Sequence, residues 1–415
     1  MVTAASAASA QPVAVARALV IAQQPAVDSA AAEPTWDMDV RSYESQDRVA
    51  HFVSMFSGRA KERIAERLSA GSRYESMIRA SMKAGGVPED MYYLALVESG
   101  YNPHAYSRAA AVGMWQFMTS TARDMGLRVD RWVDERRDPV RSTSAAVRFI
   151  RGLRDQFGSV YLAAAAYNGG PGRVARGLTR YADDVQAAQG VDAFFVLADK
   201  DYLKSETRDY VPQLIAAALV GKDPARYGMT LHAQTPFAYD SVRVPGATPL
   251  AAIARAAGAA VADVSELNPQ LLRGMTPPHE SFQVRIPPGT GAGFDSLFAA
   301  LPRADLVASR SLESRKGDTP ARLARAHGIP EWALRIFNPD LHTLKSGRLA
   351  PGQAMVLPTV AVALAALDIP DHPVLAAAKG RKARRKGKSG ASSKAGARSR
   401  TMKKAAVKRK SAARL

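Results

Sequence analysis

Glu98 is the residue whose placement most invites chemistry. It closes the apolar run Leu94-Ala95-Leu96-Val97, and Ser99-Gly100-Tyr101-Asn102-Pro103 turn the chain immediately afterwards. Counting back seven, four and three residues gives Met91, Leu94 and Ala95, so at helical spacing the carboxyl shares an apolar face. Ionising a carboxyl on such a face is costly, and the group responds by keeping its proton to higher pH. A carboxylic acid still protonated near neutral pH can act as a general acid. The competing reading is a Glu at a helix end, turned back to water or capping a nearby N–H. Glu98 alone does not separate the two.

Downstream residues add weight. Ser107 follows the turn, and the segment Val112-Gly113-Met114-Trp115-Gln116-Phe117-Met118 sets one uncharged amide among large apolar side chains. That mixture suits a sugar: the Gln116 amide for hydroxyl and acetamide groups, ring faces and the Met118 thioether for apolar patches. A core segment with a structural Gln has the same composition, so this alternative also stays open. Tyr167-Asn168 end a third apolar stretch, where polar groups can meet a cleft. Other chemistry lacks its residues. The seven histidines include no pair at metal-ligand spacing, and neither a G-x-S-x-G elbow nor a phosphate-binding P-loop occurs. No metal or cofactor is expected. The chain has no cysteine, which removes disulfides, thiolate metal sites, a Cys nucleophile and an acylated Cys anchor.

Several helices must hold these residues. Pro88, Glu89 and Asp90 supply helix-start chemistry for the Glu98 segment, which runs to about Ser99. Before it, Val49, Phe52, Val53 and Phe56 recur at i, i+3, i+4 and i+7, and Ile64, Leu68, Met77 and Ile78 continue the pattern. Asp138-Pro139 open a helix with Val147, Ile150, Leu153 and Phe157 on one side and Gly158 beyond its end. Val160 to Asn168 form a helix whose four alanines permit close packing, stopped at Gly169-Gly170-Pro171-Gly172. Asp201 to Val220 read as the last helix of this unit.

Beyond Pro236 the pattern changes to short strands and Pro/Gly turns, and it repeats at an offset of 70 to 71 residues. Gly246-Ala-Thr-Pro249 matches Gly317-Asp-Thr-Pro320, Leu267-Asn268-Pro269 matches Phe337-Asn338-Pro339, and Val284-Arg-Ile-Pro287 matches Met355-Val-Leu-Pro358. Each unit reads strand, helix, helix, strand over about 50 residues. Two copies separated by a linker suggest independent beads.

Charge is unevenly spread over the 415 residues. Lys379 to Leu415 hold 16 Lys and Arg and no acids, whereas the other 378 residues carry 41 bases against 38 acids. The tail, without aromatic residues, cannot bury enough surface to offset the entropy of ordering and reads as a disordered polycation. Its partners would be anionic polymers, anionic lipid or nucleic acid, and nothing in the spacing selects among them. Residues 1–36 are Ala-rich; Val13 to Ile21 weakly resemble the apolar part of an export signal, interrupted by Arg17. No apolar segment reaches the roughly 20 residues that span a bilayer.

Glu98-Ser99, Asn102-Pro103, Ser107, Gly113-Met114-Trp115-Gln116, Ala166-Tyr167-Asn168 and Glu206-Thr207-Arg208-Asp209-Tyr210-Val211-Pro212 together resemble the ordered motifs of the lytic murein transglycosylases with a lysozyme-like domain, membrane-bound D type. The resemblance covers residues 74–228, and the repeats resemble LysM modules. It implies a mainly α lysozyme-like catalytic domain at 37–230, two small α+β (βααβ) LysM-like modules at 237–290 and 305–360, and a linker with a disordered basic tail at 361–415. It also implies cleavage between N-acetylmuramic acid and N-acetylglucosamine without water, leaving 1,6-anhydromuramoyl ends. Glu98 would be the acid and base; Ser107, Gln116 and Met118 would contact sugar, and Tyr167 would orient Glu98 by a hydrogen bond. Asn168 would fix the cleft backbone, and Glu206 reads as structural. Peptidoglycan glycan strands are the implied partner, the periplasm or cell envelope the implied location, and a monomer the expected state. A goose-type lysozyme with the same acid, or a non-catalytic wall-binding protein, are the alternatives. The chain departs from the family in lacking a lipidated Cys, and from LysM modules at Ala247, Leu312 and Ser314.

Overall fold

The computed structural model describes residues 36–368; the expectations for 1–35 and for 369–415 lie outside the described residues. Eleven helices in chain order build the first unit: α1 Asp47–Ser57, α2 Lys61–Gly71, α3 Glu75–Ala84, α4 Tyr92–Ser99, α5 Thr119–Asp124, α6 Pro139–Phe157, α7 Val160–Gly169, α8 Pro171–Arg180, α9 Ala182–Ala187, α10 Ala193–Asp199 and α11 Ser205–Lys222. The side chains at helix starts explain several of these boundaries. The Asp138 carboxylate accepts from the Val140 and Arg141 N–H groups at 2.9 Å, with Pro139 at the first helical position of α6. Ser159 does the same for α7 through Tyr161 and Leu162 at 3.1 Å. Gly170-Pro171, read as a stop, both ends α7 and starts α8: Gly170 takes φ +87° and Pro171 opens the next helix.

The core lies where α11 packs on α1, α4 and α7. Ala163 to Ala166 on α7 and Ala216 to Ala218 on α11 have essentially no exposed surface, so small side chains let these helices approach closely. The start of α4 is anchored by the fully buried Asp90. Its carboxylate meets Lys222 Nζ at 2.5 Å and Arg79 Nη1 at 3.6 Å and accepts from the Asp37 N–H at 2.9 Å. Removing one partner of such a buried pair would leave the other charge uncompensated, which is strongly destabilising. At the other end Gly100, at φ +66°, turns the chain as its N–H donates to the Leu96 carbonyl at 3.0 Å.

Two modules follow. In module 1, β1 Asp240–Val244, α12 Leu250–Ala257, α13 Val261–Leu267 and β2 Phe282–Ile286 give the expected strand, helix, helix, strand order, with β1 and β2 antiparallel and Val242 opposite Val284. After α14 Phe294–Ala299, module 2 repeats it with β3 Ser309–Glu313, α15 Pro320–Ala326, α16 Glu331–Phe337 and β4 Ala354–Pro358, where Ser311 faces Val356. The stretch between the modules is not a free linker, since Phe294 on α14 is buried in the core of module 1.

The picture of independent beads is corrected by the contacts. Val133, from the loop between α5 and α6, is completely buried within the core of module 1. The Leu272 N–H donates to the Trp132 carbonyl, and the Asp134 N–H to the Gln270 carbonyl, both at 3.0 Å. The stretch from residue 361, read as the start of a linker, instead continues α17 Val360–Ala365. Its Val362 is buried with Met275 of module 1 and Phe337 of module 2, and Trp132 meets Phe337 edge-on at 6.0 Å between ring centroids. The physical reason is size: a unit of about 50 residues buries too little apolar surface alone and gains by sharing a neighbour's. Ser314 is nearly buried, donating to the Ala350 carbonyl at 2.6 Å, so its hydroxyl stabilises a turn of module 2.

Candidate active site

α4 delivers Glu98 in its last turn, at intermediate exposure, with Leu94 and Ala95 of the same helix fully buried. The next residue joins this turn to the Gln116 segment: Ser99 Oγ donates to the Met114 carbonyl at 2.8 Å. Burial, opposed by a hydrogen bond from Tyr210 and reinforced by the charge of Glu206, pushes the Glu98 carboxyl up to about 7. The Tyr210 hydroxyl donates to Glu98 Oε1 in a short contact. Burial and the neighbouring Glu98 hold that phenol well above its usual range, so it stays a donor.

This corrects the role expected of Tyr167. Its hydroxyl donates instead to the Trp115 carbonyl at 2.6 Å, which fixes the segment carrying Gln116. The phenol is likewise held well above its usual range by burial and by Glu98. Tyr210 sits in a motif already visible in the sequence. Thr207, Tyr210 and Val211, at i, i+3 and i+4 on the buried face of α11, carried the signal that could have found it.

Gln116, Phe117, Met118, Thr121, Phe149, Ala166, Tyr167 and Asn168 line a cavity of about 290 Å³ together with Gly169 to Pro171. Gln116, Met118, Tyr167 and Asn168 are therefore brought together, with Met118 44% exposed at the surface of the cleft. Gln116 has φ +48° and donates through Nε2 to the Gly113 carbonyl at 2.8 Å, so its amide closes a tight turn while its carbonyl remains an acceptor. Ser107 does not line this cavity. Its hydroxyl accepts from the Ala111 N–H at 3.0 Å and closes the 107–111 turn. Asn168 accepts from Thr207 Oγ1 at 2.8 Å and reaches Glu206 Oε1 at 3.5 Å, which ties the end of α7 to the start of α11. Glu206 itself is exposed. The arrangement can supply a proton at neutral pH from one carboxyl beside an apolar cleft furnished with amides.

Fold and site together define a helical lysozyme-like domain followed by two LysM-type modules, each with a two-stranded sheet. Comparison with known proteins gives the particular family. Residues 75–188 match the transglycosylase SLT domain, 238–303 the LysM-like domain of lytic transglycosylase MltD, and 315–358 the LysM domain. Residues 75–188 thus belong to the transglycosylase SLT family. Over 304 residues the chain is 31% identical to membrane-bound lytic murein transglycosylase D of Escherichia coli K12, covering 68% of this chain and 63% of that protein. A 106-residue stretch is 38% identical to peptidoglycan transglycosylase gp16 of Escherichia phage T7, 25% of this chain and 8% of that protein. The 70-kDa soluble lytic transglycosylase of E. coli aligns at 21% identity over 45% of this chain and 30% of its own, with a TM-score of 0.33. The chain spans less than two thirds of the length of the E. coli D-type relative. No helix among the described residues is long and apolar enough to cross a membrane.

Proposed function

We propose that the chain is a lytic transglycosylase that cleaves peptidoglycan glycan strands in the cell envelope, with Glu98 as its single acid and base. The observation that carries this reading is one carboxyl, pushed up to about 7 by burial and bonded by a tyrosine donor, whose charge acts on Tyr167 in the wall of a cleft lined by no acid, while Glu206 stands exposed. A glycosidase that activates water needs a second carboxylate across the bond. With one acid, the attacking group is better supplied by the substrate itself.

Glu98 donates its proton to the glycosidic oxygen, and the bond between that oxygen and C1 of the muramoyl ring breaks. The substrate's own acetamido oxygen stabilises the positive charge left at C1. Glu98, now a carboxylate held by Tyr210, takes the proton of the C6 hydroxyl on the same ring. The C6 oxygen bonds to C1 and closes a 1,6-anhydro ring. No water is consumed, and Glu98 is protonated again. A group titrating near pH 7 serves both half-reactions, since neither form is costly to reach. In this reading Gln116 and Met118 contact sugar, supported by their shared place in the cavity lining, and Tyr167 and Asn168 brace the walls through their bonds to Trp115 and Thr207.

Glu98→Gln tests the assignment. The variant should release no soluble muropeptides from purified peptidoglycan while still pelleting with it, and turnover near wild type would remove Glu98 from the mechanism.

A further inference from the structure

Module 1 docks on the segment that supports the cavity. Beyond Trp132 and Val133, which enter the module's interface and core, Asp134 receives both Nε and Nη2 of Arg136 at 2.8 Å. Arg136 has no exposed surface, and its Nη1 donates to the carbonyls of Ala110 and Phe117 at 3.2 Å and to Thr119 Oγ1 at 3.1 Å. The loop 110–119, which contains Gln116, therefore lies directly on residues 134–138. At Gly113 a Cβ would stand 1.9 Å from the Arg136 carbonyl oxygen.

The same segment ends at Asp138, and module 1 holds it from outside. Arg285 on β2 donates through Nη2 to both oxygens of the Asp138 carboxylate, at 2.9 and 2.8 Å, while its Nη1 donates to the Leu267 carbonyl at 3.2 Å. The pair is nearly buried, with side chains 12% and 4% exposed. Asp138 at the same time caps α6. One turn into that helix, Thr143 Oγ1 accepts from Trp115 Nε1 at 3.0 Å, and the Trp115 carbonyl accepts from Tyr167. An unbroken set of contacts thus runs from a module 1 side chain to the residue before Gln116.

We propose that Arg285 is a positioning residue of the active site, acting through Asp138 on the start of α6 and so on Trp115 and Gln116; this rests on the reading of the Glu98 cleft as catalytic. A buried pair of charges adds little stability over an apolar pair of the same shape but fixes orientation, which is what a cavity wall requires. Module 1 is then a bracket of the catalytic domain.

The test compares full-length wild type with Arg285→Met, Arg285→Lys and Glu280→Ala on soluble, uncrosslinked glycan strands. Glu280 binds Arg128 at 2.7 Å on the exposed rim of the same interface and has no contact with Asp138. Displacing a positioned group lowers turnover more than ground-state binding, so Arg285→Met should cut kcat about tenfold with KM within about twofold. Lys should recover part of the loss, and Glu280→Ala should leave kcat unchanged. Wild-type kcat in Arg285→Met, no recovery with Lys, or an equal loss in Glu280→Ala would overturn the proposal. Should Arg285→Met fail to fold, Arg285→Lys carries the test: a lower kcat at unchanged KM supports it, and wild-type kcat overturns it. A wild-type chain that releases nothing refutes the enzymatic reading itself, whereas an active wild type with an equally active Arg285→Met refutes only this inference.

Discussion

Replacing Tyr210 by Phe removes one hydroxyl from the candidate acid and leaves the ring that packs around it. That hydroxyl donates to Glu98 Oε1 and is the influence that works against burial, because donation favours the ionised carboxylate. A hydrogen bond to a charged group contributes about 1.5–3 kcal/mol. Since one pKa unit corresponds to about 1.4 kcal/mol, its loss lifts Glu98 from about 7 by roughly one to two units. The sign follows from the role. A general acid acts while protonated, so wild-type activity should decline as the pH rises through 7, and the variant should keep its acid form to pH 8 or 9 by the same shift of roughly one to two units. Near pH 6 the carboxylate needed for ring closure is less accessible without its donor, and turnover should fall by roughly 10- to 100-fold, the rate equivalent of that hydrogen bond. Initial rates of turbidity loss from a peptidoglycan suspension, taken from pH 4 to 10, measure both effects. An alkaline limb that stays in place, or moves to lower pH, refutes the coupling of Tyr210 to Glu98.

Other outcomes follow from the same geometry. The Glu98 carboxyl binds its proton more tightly in the folded chain, near 7, than at the ordinary value of 4.5, so wild-type stability falls as the pH rises between these values. Glu98→Gln should therefore be more stable than wild type at pH 8, by up to ~3 kcal/mol, and equal to it at pH 4. Urea midpoints at the two pH values check this, and a gain independent of pH contradicts it. Gly113→Ala must place a Cβ 1.9 Å from the Arg136 carbonyl at φ +84°, and should cost roughly 2–4 kcal/mol in thermal or urea unfolding, with activity lost in parallel. A midpoint within error of wild type would mean the loop is not seated on residues 134–138. Removing residues 379–415, with their 16 Lys and Arg, should abolish salt-sensitive association with anionic polymers and leave turnover on short glycans unchanged. Binding that survives the truncation at low salt sinks the polycation reading.

Local patterns carried most of what was legible in the sequence. The apolar face at Met91, Leu94 and Ala95 placed Glu98 because helical spacing is set within a few residues, and the 70–71-residue repeat located the strands and helices of both modules in order. The contact between Glu98 and Tyr210 spans 112 residues, and Tyr167 offered the same phenol at an equally plausible helix end. Nothing local distinguishes two tyrosines whose helices converge only in the folded core. Helices α8 to α10 escaped notice because Gly170-Pro171 carries a stop and a start signal in the same two residues. The docking of the modules was hidden for a related reason. Trp132 and Val133 are two apolar residues in the charged stretch Asp130 to Asp138, and their partners lie more than a hundred positions away. Ser107 lies outside the cavity that Gln116 lines, where its hydroxyl accepts the bond that closes its own turn.

The central claim, that the attacking oxygen comes from the sugar and not from solvent, is tested most directly by digesting peptidoglycan in ¹⁸O-labelled water and weighing the released muropeptides. Ring closure by the C6 hydroxyl predicts products that carry no label and are lighter by one water than hydrolytic fragments. Labelled products with reducing ends would assign the same cleft to a lysozyme and contradict the account.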